Sequence, residues 1–244
     1  KSDELGGTWN WNRYPGARCD IPSLEYSYQF DEELQQDWNW SEKYSAQPEI
    51  LDYLNHVADR FDLRKDISFE EEVLEAKFNE ESSLWNIKTN KENYESKFCI
   101  FATGCLSVPN KPDIEGLNNF EGQLLSTSYW PREEVDLSGK NVAIIGTGSS
   151  SIQTIPEIAK EAKNLYVFQR TPNYSIPSNN GPMDKEVEAD VKSRYAEFRK
   201  ENWSSGFGIA SDTGEAFISE SDIDEVNGQL EENWKSNGLG FFGG

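Results

Sequence analysis

Between Asn141 and Pro172 the sequence changes its hydrophobic period twice, and that stretch constrains the fold more than any other. Val142, Ala143, Ile144 and Ile145 form a short apolar run of the kind buried on both faces of a parallel sheet. It stops at Gly146-Thr147-Gly148-Ser149-Ser150-Ser151. Ile152, Ile155, Ile158, Ala159 and Ala162 then recur at helical spacing, despite Pro156. A second apolar run, Leu165 to Phe168, ends at Gln169-Arg170-Thr171-Pro172. Strand, glycine turn, helix and strand within about 30 residues open a dinucleotide-binding domain. The expected class is α/β.

Each part of the turn has a physical task. Gly146 permits the tight bend. Gly148 lets backbone amides approach a pyrophosphate, and the following helix N-terminus supplies partial positive charge. The third glycine of such fingerprints governs close helix–strand packing. Ser151 stands there and is small enough to serve. The end of the second strand selects the cofactor. An acidic residue would take the ribose hydroxyls of NAD, whereas Arg170 can grip the extra phosphate of NADP.

Elsewhere the periods are plainer. Residues 6–31 are dense in Gly, Pro, Trp, Tyr and Asn without a period, which predicts an ordered aromatic loop. Gln47 to Leu63 predicts an amphipathic helix with Pro48 near its start and His56 off the apolar face, at the surface. Strands are expected at Ile67–Phe69, Val73–Phe78, Leu84–Thr89 and Lys97–Phe101, the last leading into Ala102-Thr103-Gly104. Residues 108–116 read as a proline-rich linker. Beyond Met183 two helical stripes follow: Val187, Val191, Tyr195 and Phe198, then Ile223, Val226, Leu230 and Trp234 behind a Ser221-x-x-Asp224 cap.

Charge excludes whole classes of partner. Of 244 residues, 23 are Lys or Arg and 44 are Asp or Glu, a formal net charge of −21. Phosphate backbones and anionic membrane surfaces are repelled by such a chain, so neither nucleic acid nor membrane is an expected partner. No apolar run reaches the roughly 18 residues of a spanning helix. Aromatic residues at 13% argue against disorder. Cys19, Cys99 and Cys105 form no Cys-x-x-Cys, and the single histidine is His56, so no zinc site is expected. An odd cysteine count suggests reduced thiols and a cytoplasmic home.

The run Gly6-Gly7-Thr8-Trp9-Asn10-Trp11-Asn12-Arg13-Tyr14-Pro15-Gly16-Ala17-Arg18-Cys19-Asp20 resembles the Baeyer–Villiger monooxygenases at every defined position of their Gly-Gly-x-Trp-x4-Tyr/Phe-Pro-Gly/Met-x3-Asp motif. The resemblance is strongest to the phenylacetone and cyclohexanone type. It continues through Glu25-Tyr26-Ser27-Tyr28, Ala102-Thr103-Gly104, the Gly146 turn and Phe168–Pro172, and fades after about residue 205. A second family fingerprint, Phe-x-Gly-x3-His-x3-Trp-Pro/Asp, reads Phe120-Glu121-Gly122 through Trp130-Pro131, with Ser126 where the family has histidine. Serine there loses the ring and its titratable nitrogen.

The resemblance implies two dinucleotide-binding, Rossmann-like domains with a helical insertion. It implies FAD and NADPH as cofactors and insertion of one oxygen of O2 beside a ketone carbonyl, giving an ester or lactone. By the same resemblance Gly7, Thr8 and Trp9 line the flavin with Tyr26 close by. Asp20 stands at the flavin–nicotinamide junction as the catalytic candidate, and Val73 meets the adenine. Gly146, Thr147, Gly148, Ser149, Ser150, Gln153, Arg170 and Thr171 hold NADP. The rivals are an N- or S-oxygenating flavin monooxygenase and a catalytically dead NADP-binding module. A disulfide reductase would need a redox cysteine pair.

Lys1 opens the chain and Met183 is its one methionine. The expected organisation is a fragment cut at both ends. Residues 1–106 would be a partial FAD-binding domain, 107–182 a linker and the first half of an NADP-binding domain, and 183–244 a truncated helical insertion. Such a piece is expected to bind FAD poorly and not to turn over.

Overall fold

A computed structural model describes residues 1–106, 108–205, 208–209 and 222–236. Its main elements, in chain order, are α1 (Thr8–Trp11), α2 (Glu32–Asp37), α3 (Gln47–Arg60), β1 (Val73–Asn79), β2 (Leu84–Thr89), β3 (Asn93–Ser96), β4 (Asn141–Ile145), α4 (Ser149–Glu161), β5 (Asn164–Phe168), α5 (Lys185–Ser193), α6 (Tyr195–Ser204) and α7 (Ile223–Ser236). Two compact units are built from them. One joins Lys1–Tyr14 to Ile50–Val135, the other Pro15–Glu49 to Asp136–Gly244.

In the first unit β1, β2 and β3 form an antiparallel meander in that order. Phe78 faces Trp85 across β1 and β2, with ring centroids 5.6 Å apart. Such a cross-strand aromatic pair is a normal source of sheet stability. Ile50, Tyr53, Val57 and Ala58 are buried along one face of α3, the spacing that makes one side of a helix apolar. Gly6 abuts this helix: a Cβ there would stand 2.5 Å from Leu51 Cδ1, and its φ of 107° favours glycine as well.

The sequence-based expectations hold for β1 and β2 and need correction nearby. Helix α3 ends at Arg60 rather than Leu63, because Asp62 turns into the left-handed region at φ 50°. His56 is half-buried, not on the surface, with its Nε2 shielded from solvent. Ile67–Phe69 and Lys97–Phe101 are not strands. Phe98 and Ile100 are more than four-fifths exposed. A run with strand propensity forms a strand only where another strand can pair with it, and none pairs with these among the described residues.

In the second unit β4 and β5 pair in parallel, in register from Asn141 opposite Asn164 to Ile145 opposite Phe168, and α4 makes the crossover between them. Of the expected aromatic loop, Thr8–Trp11 form the one-turn helix α1, a correction to the period-free expectation, and only residues 12–31 are ordered without helix or strand. Ala17, Cys19 and Leu24 are buried, Arg18 bridges to Ala46, and the Ser23 and Ser45 hydroxyls meet at 2.8 Å. Asp31 caps α2 through the Leu34 N–H at 2.7 Å, and Asp184 caps α5 through the Glu186 N–H at 2.8 Å.

The expected stripe beyond Met183 is two helices broken at Arg194, not one. Val191, Tyr195 and Phe198 are buried, while Val187 is about half exposed. Lys192 caps the other end of α2, its Nζ donating to the carbonyls of Gln36 and Trp38 and to Asn39 Oδ1. Helix α7 begins behind Asp222, whose side chain accepts the Asp224 N–H at 2.9 Å. The expected Ser221 cap lies outside the described residues.

Candidate functional site

The turn after β4 has the geometry its glycines predict. The Gly146 N–H donates to the Phe168 carbonyl at 2.8 Å, so β4 stays paired to its last residue before the chain bends. Gly146 then takes φ 108°, which side chains rarely adopt. Ser151 fits: its Oγ would lie 3.8 Å from a Cβ on Gly146, an ordinary contact. Gly148 is the N-cap of α4 and supplies no side-chain cap, so the first N–H groups of the helix are left for another acceptor. A Cβ on Gly148 would meet nothing within 4 Å. An open approach above uncapped amides suits a phosphate.

The segment after β5 folds back onto this turn. Gln169 Nε2 donates to Thr147 Oγ1 at 2.9 Å, and Asn173 Nδ2 donates to the Thr147 carbonyl at 2.8 Å and to its Oγ1 at 3.1 Å. Arg170 and Thr171, between these two anchors, are exposed. Gly146, Thr147, Gly148, Ser149, Ser150, Arg170 and Thr171 are therefore neighbours around one bend. Sequence reading missed Gln169 and Asn173, since an amide anchored to a hydroxyl or carbonyl over 20 residues away leaves no periodic signal.

Gln153, expected beside NADP, also makes contacts of its own within the chain. Its carboxamide turns to the aromatic loop, accepting the Arg18 N–H at 3.3 Å and donating to the Arg18 carbonyl at 3.1 Å and to Asp20 Oδ1 at 3.0 Å. Asp20 is thus joined to α4. Tyr26 is about two-fifths exposed, and the backbone on either side of it is held by buried Arg199. The Arg199 Nη1 donates to the Glu25 carbonyl at 3.1 Å, Nη2 donates to Ser27 Oγ at 2.8 Å, and Nε donates to Gln35 Oε1 at 3.2 Å. No sequence feature had singled out Arg199.

The remaining expected flavin residues lie in the first unit. Gly7 takes φ 51° and opens α1, which carries Thr8 and Trp9. Ser2 ties α1 to the approach to β1: its Oγ accepts from Asn10 Nδ2 at 2.9 Å and its carbonyl accepts the Glu70 N–H at 2.8 Å. Val73 follows at the exposed start of β1. In the second fingerprint, a Cβ on Gly122 would stand 2.6 Å from the tip of the exposed Phe120 ring. Ser126 is exposed, and its carbonyl accepts the Tyr129 N–H at 3.1 Å.

The family model for pyridine nucleotide-disulphide oxidoreductases matches residues 23–235. The chain belongs to that family. A Baeyer–Villiger monooxygenase of Pseudooceanicola batsensis is 45% identical over 195 residues, covering 80% of this chain and 36% of the relative. Among solved structures, an oxidized steroid monooxygenase bound to NADP superposes with a TM-score of 0.94 at 47% identity, covering 99% of this chain and 46% of that one. The enzyme OTEMO, in complex with FAD and NADP, does so with a TM-score of 0.92 at 37% identity, covering 98% and 46%. This member of the oxidoreductase family therefore spans less than half the length of the relatives it matches.

The family's name includes disulfide chemistry, which the buried thiol of Cys19 does not favour. Cys19 is buried, and burial pushes its thiol up to about 11, away from the thiolate that exchange requires. Among the described residues no helix is long and apolar enough to cross a membrane.

Proposed function

We propose that this chain is part of a cytoplasmic FAD- and NADPH-dependent Baeyer–Villiger monooxygenase acting on a small ketone with O2. The observation that carries the reading is the bend at Gly146–Ser150: an uncapped helix N-terminus, open above Gly148, with Arg170 on the segment anchored beside it. These residues fit a dinucleotide. The amides of α4 would receive the pyrophosphate, Thr147, Ser149 and Ser150 would offer hydroxyls, and Arg170 with Thr171 would take the 2′-phosphate. Gly7, Thr8, Trp9 and Val73 would contribute to FAD, with Asp20 and Tyr26 at the edge of the reacting centre.

Bound flavin would supply the redox chemistry, drawing electrons from NADPH and passing them to O2. The chain's own residues would bind, orient and hold charge. Asp20 keeps a carboxylate at a fixed point relative to α4. Residues 1–106 would serve mainly the flavin and 107–182 mainly NADP, with α6 buttressing the loop that carries Tyr26 through Arg199.

The test is twofold. Calorimetric titration should show this chain binding NADP⁺ more tightly than NAD⁺, and Arg170→Ala should weaken NADP⁺ by roughly 1.5–3 kcal/mol, the scale of a charged hydrogen bond. Equal loss for NAD⁺ would show that Arg170 does not hold the 2′-phosphate. In the enzyme loaded with both cofactors, a ketone should stimulate NADPH-dependent O2 uptake and yield an ester or lactone. An N- or S-oxide as the product class would favour the rival monooxygenase.

A further inference from the structure

The Gln153 carboxamide is committed to a part of the chain more than 130 residues away. A primary amide has two N–H donors, and both of Gln153's are used, one on the Arg18 carbonyl and one on the Asp20 carboxylate. Its oxygen accepts the Arg18 N–H. The reciprocal pair with Arg18 copies the bond pattern between neighbouring strands, a side chain replacing a backbone. Gly16 brings the same loop into contact with the backbone of α4, since a Cβ on Gly16 would overlap the Gln153 carbonyl oxygen. The loop and the helix therefore touch through backbone, through a paired amide and through one carboxylate, all within five residues of loop.

Gln153 lies one turn beyond Ser149, where α4 begins. The first turn of a helix is its most easily opened part, and a ligand on its amides closes it. Whatever steadies Ser149–Gln153 steadies the atoms that hold Arg18 and Asp20.

We propose that Gln153 is a positioning residue that carries nucleotide occupancy at the N-terminus of α4 to the Pro15–Asp20 loop, and so sets the Asp20 carboxylate when NADP is bound. This deepens the reading above and rests on α4 being the NADP helix. It gives Gln153 a role at the loop.

Amide hydrogen exchange on the 244-residue chain, with and without saturating NADP⁺, tests it. NADP⁺ should slow exchange at residues 147–151 and also at Arg18 and Asp20, by about fivefold or more, the response to roughly 1 kcal/mol of added local stability. In Gln153→Met, similar in length but without polar atoms, NADP⁺ should still slow residues 147–151 and leave 16–20 unchanged. Gln153→Glu keeps an acceptor for the Arg18 N–H and loses both donors, so it should retain the response at Arg18 and lose it at Asp20. A merely structural glutamine would lower stability in both variants without separating the two amides. If NADP⁺ slows 147–151 in the parent chain but not 16–20, the coupling is refuted without recourse to any variant. An equal response at 16–20 in Gln153→Met refutes it too. If NADP⁺ neither binds nor slows 147–151, the NADP reading itself fails, and this inference with it.

Discussion

Gly16 and Gln153 are in backbone contact: a Cβ on the glycine would overlap the Gln153 carbonyl oxygen and come within 3.1 Å of Glu157 Cγ. The obstruction is backbone on a helix, which cannot rotate aside as a side chain can. Gly16 also has φ 80°, where side chains are strained. Gly16→Ala should therefore lower the stability of the second unit by about 2–4 kcal/mol, combining backbone strain with overpacking. Urea unfolding followed by tryptophan fluorescence measures it. A midpoint equal to that of the parent chain would show that the loop is not seated on α4.

Arg199 is 7% exposed and divides its guanidinium among Gln35, Glu25 and Ser27, with its Cζ 5.3 Å from the Tyr195 ring centroid. Removing it takes a charged donor from buried Gln35 and from the part-buried Glu25 and Ser27. Arg199→Met should cost about 2–4 kcal/mol. Arg199→Lys should recover less than half of that loss, because an ammonium cannot reach acceptors arranged for a planar fork. Thermal denaturation of the three proteins gives the ranking, and full rescue by lysine would contradict the fork geometry.

Gly148 allows fold and function to be separated. Its φ of −73° suits any residue, and a Cβ would meet no atom within 4 Å. Gly148→Ala should change stability by less than about 1 kcal/mol, the scale of an N-cap substitution. It should nonetheless weaken NADP⁺ by about tenfold or more, near 1.4 kcal/mol, by holding phosphate off the amides. Paired denaturation and calorimetry check both halves. Undiminished NADP⁺ affinity would remove this bend from the cofactor site.

Cys19 gives a pH dependence of known sign. Burial raises its thiol from 9.0 to about 11, so the folded chain holds that proton more tightly than the unfolded chain. Its contribution to stability is present in full below pH 9 and is lost as pH rises from about 9 through 11. Unfolding free energy should fall over that window, and less steeply in Cys19→Ala. At pH 8 a thiol reagent should modify Cys99 and Cys105, half-buried and exposed, and leave Cys19 until the chain is denatured. Rapid modification of all three would contradict the burial of Cys19.

The sequence by itself determined the order and type of β4, α4 and β5, helix α3 up to its last turn and the first two strands, because each rests on a local period, but it did not determine burial: the run read as buried on both faces ends at Ile145, 65% exposed, and β5 at Phe168, 58% exposed. It also determined the character of the turn after β4, since the bend at Gly146 and the open approach at Gly148 follow from the conformations those residue types allow. Tertiary structure decided the rest. Lys97–Phe101 has strand composition and no strand beside it, so pairing overruled propensity. His56 became half-buried because burial depends on what packs over a residue as well as on its helical phase. Gln153 reached the loop at Arg18 and Asp20, and Arg199 closed around Tyr26, through contacts between segments more than 130 residues apart. Hydrophobic periods extend over a few turns of chain, and hydrogen bonds between distant segments form only once folding has brought those segments within 3 Å or so.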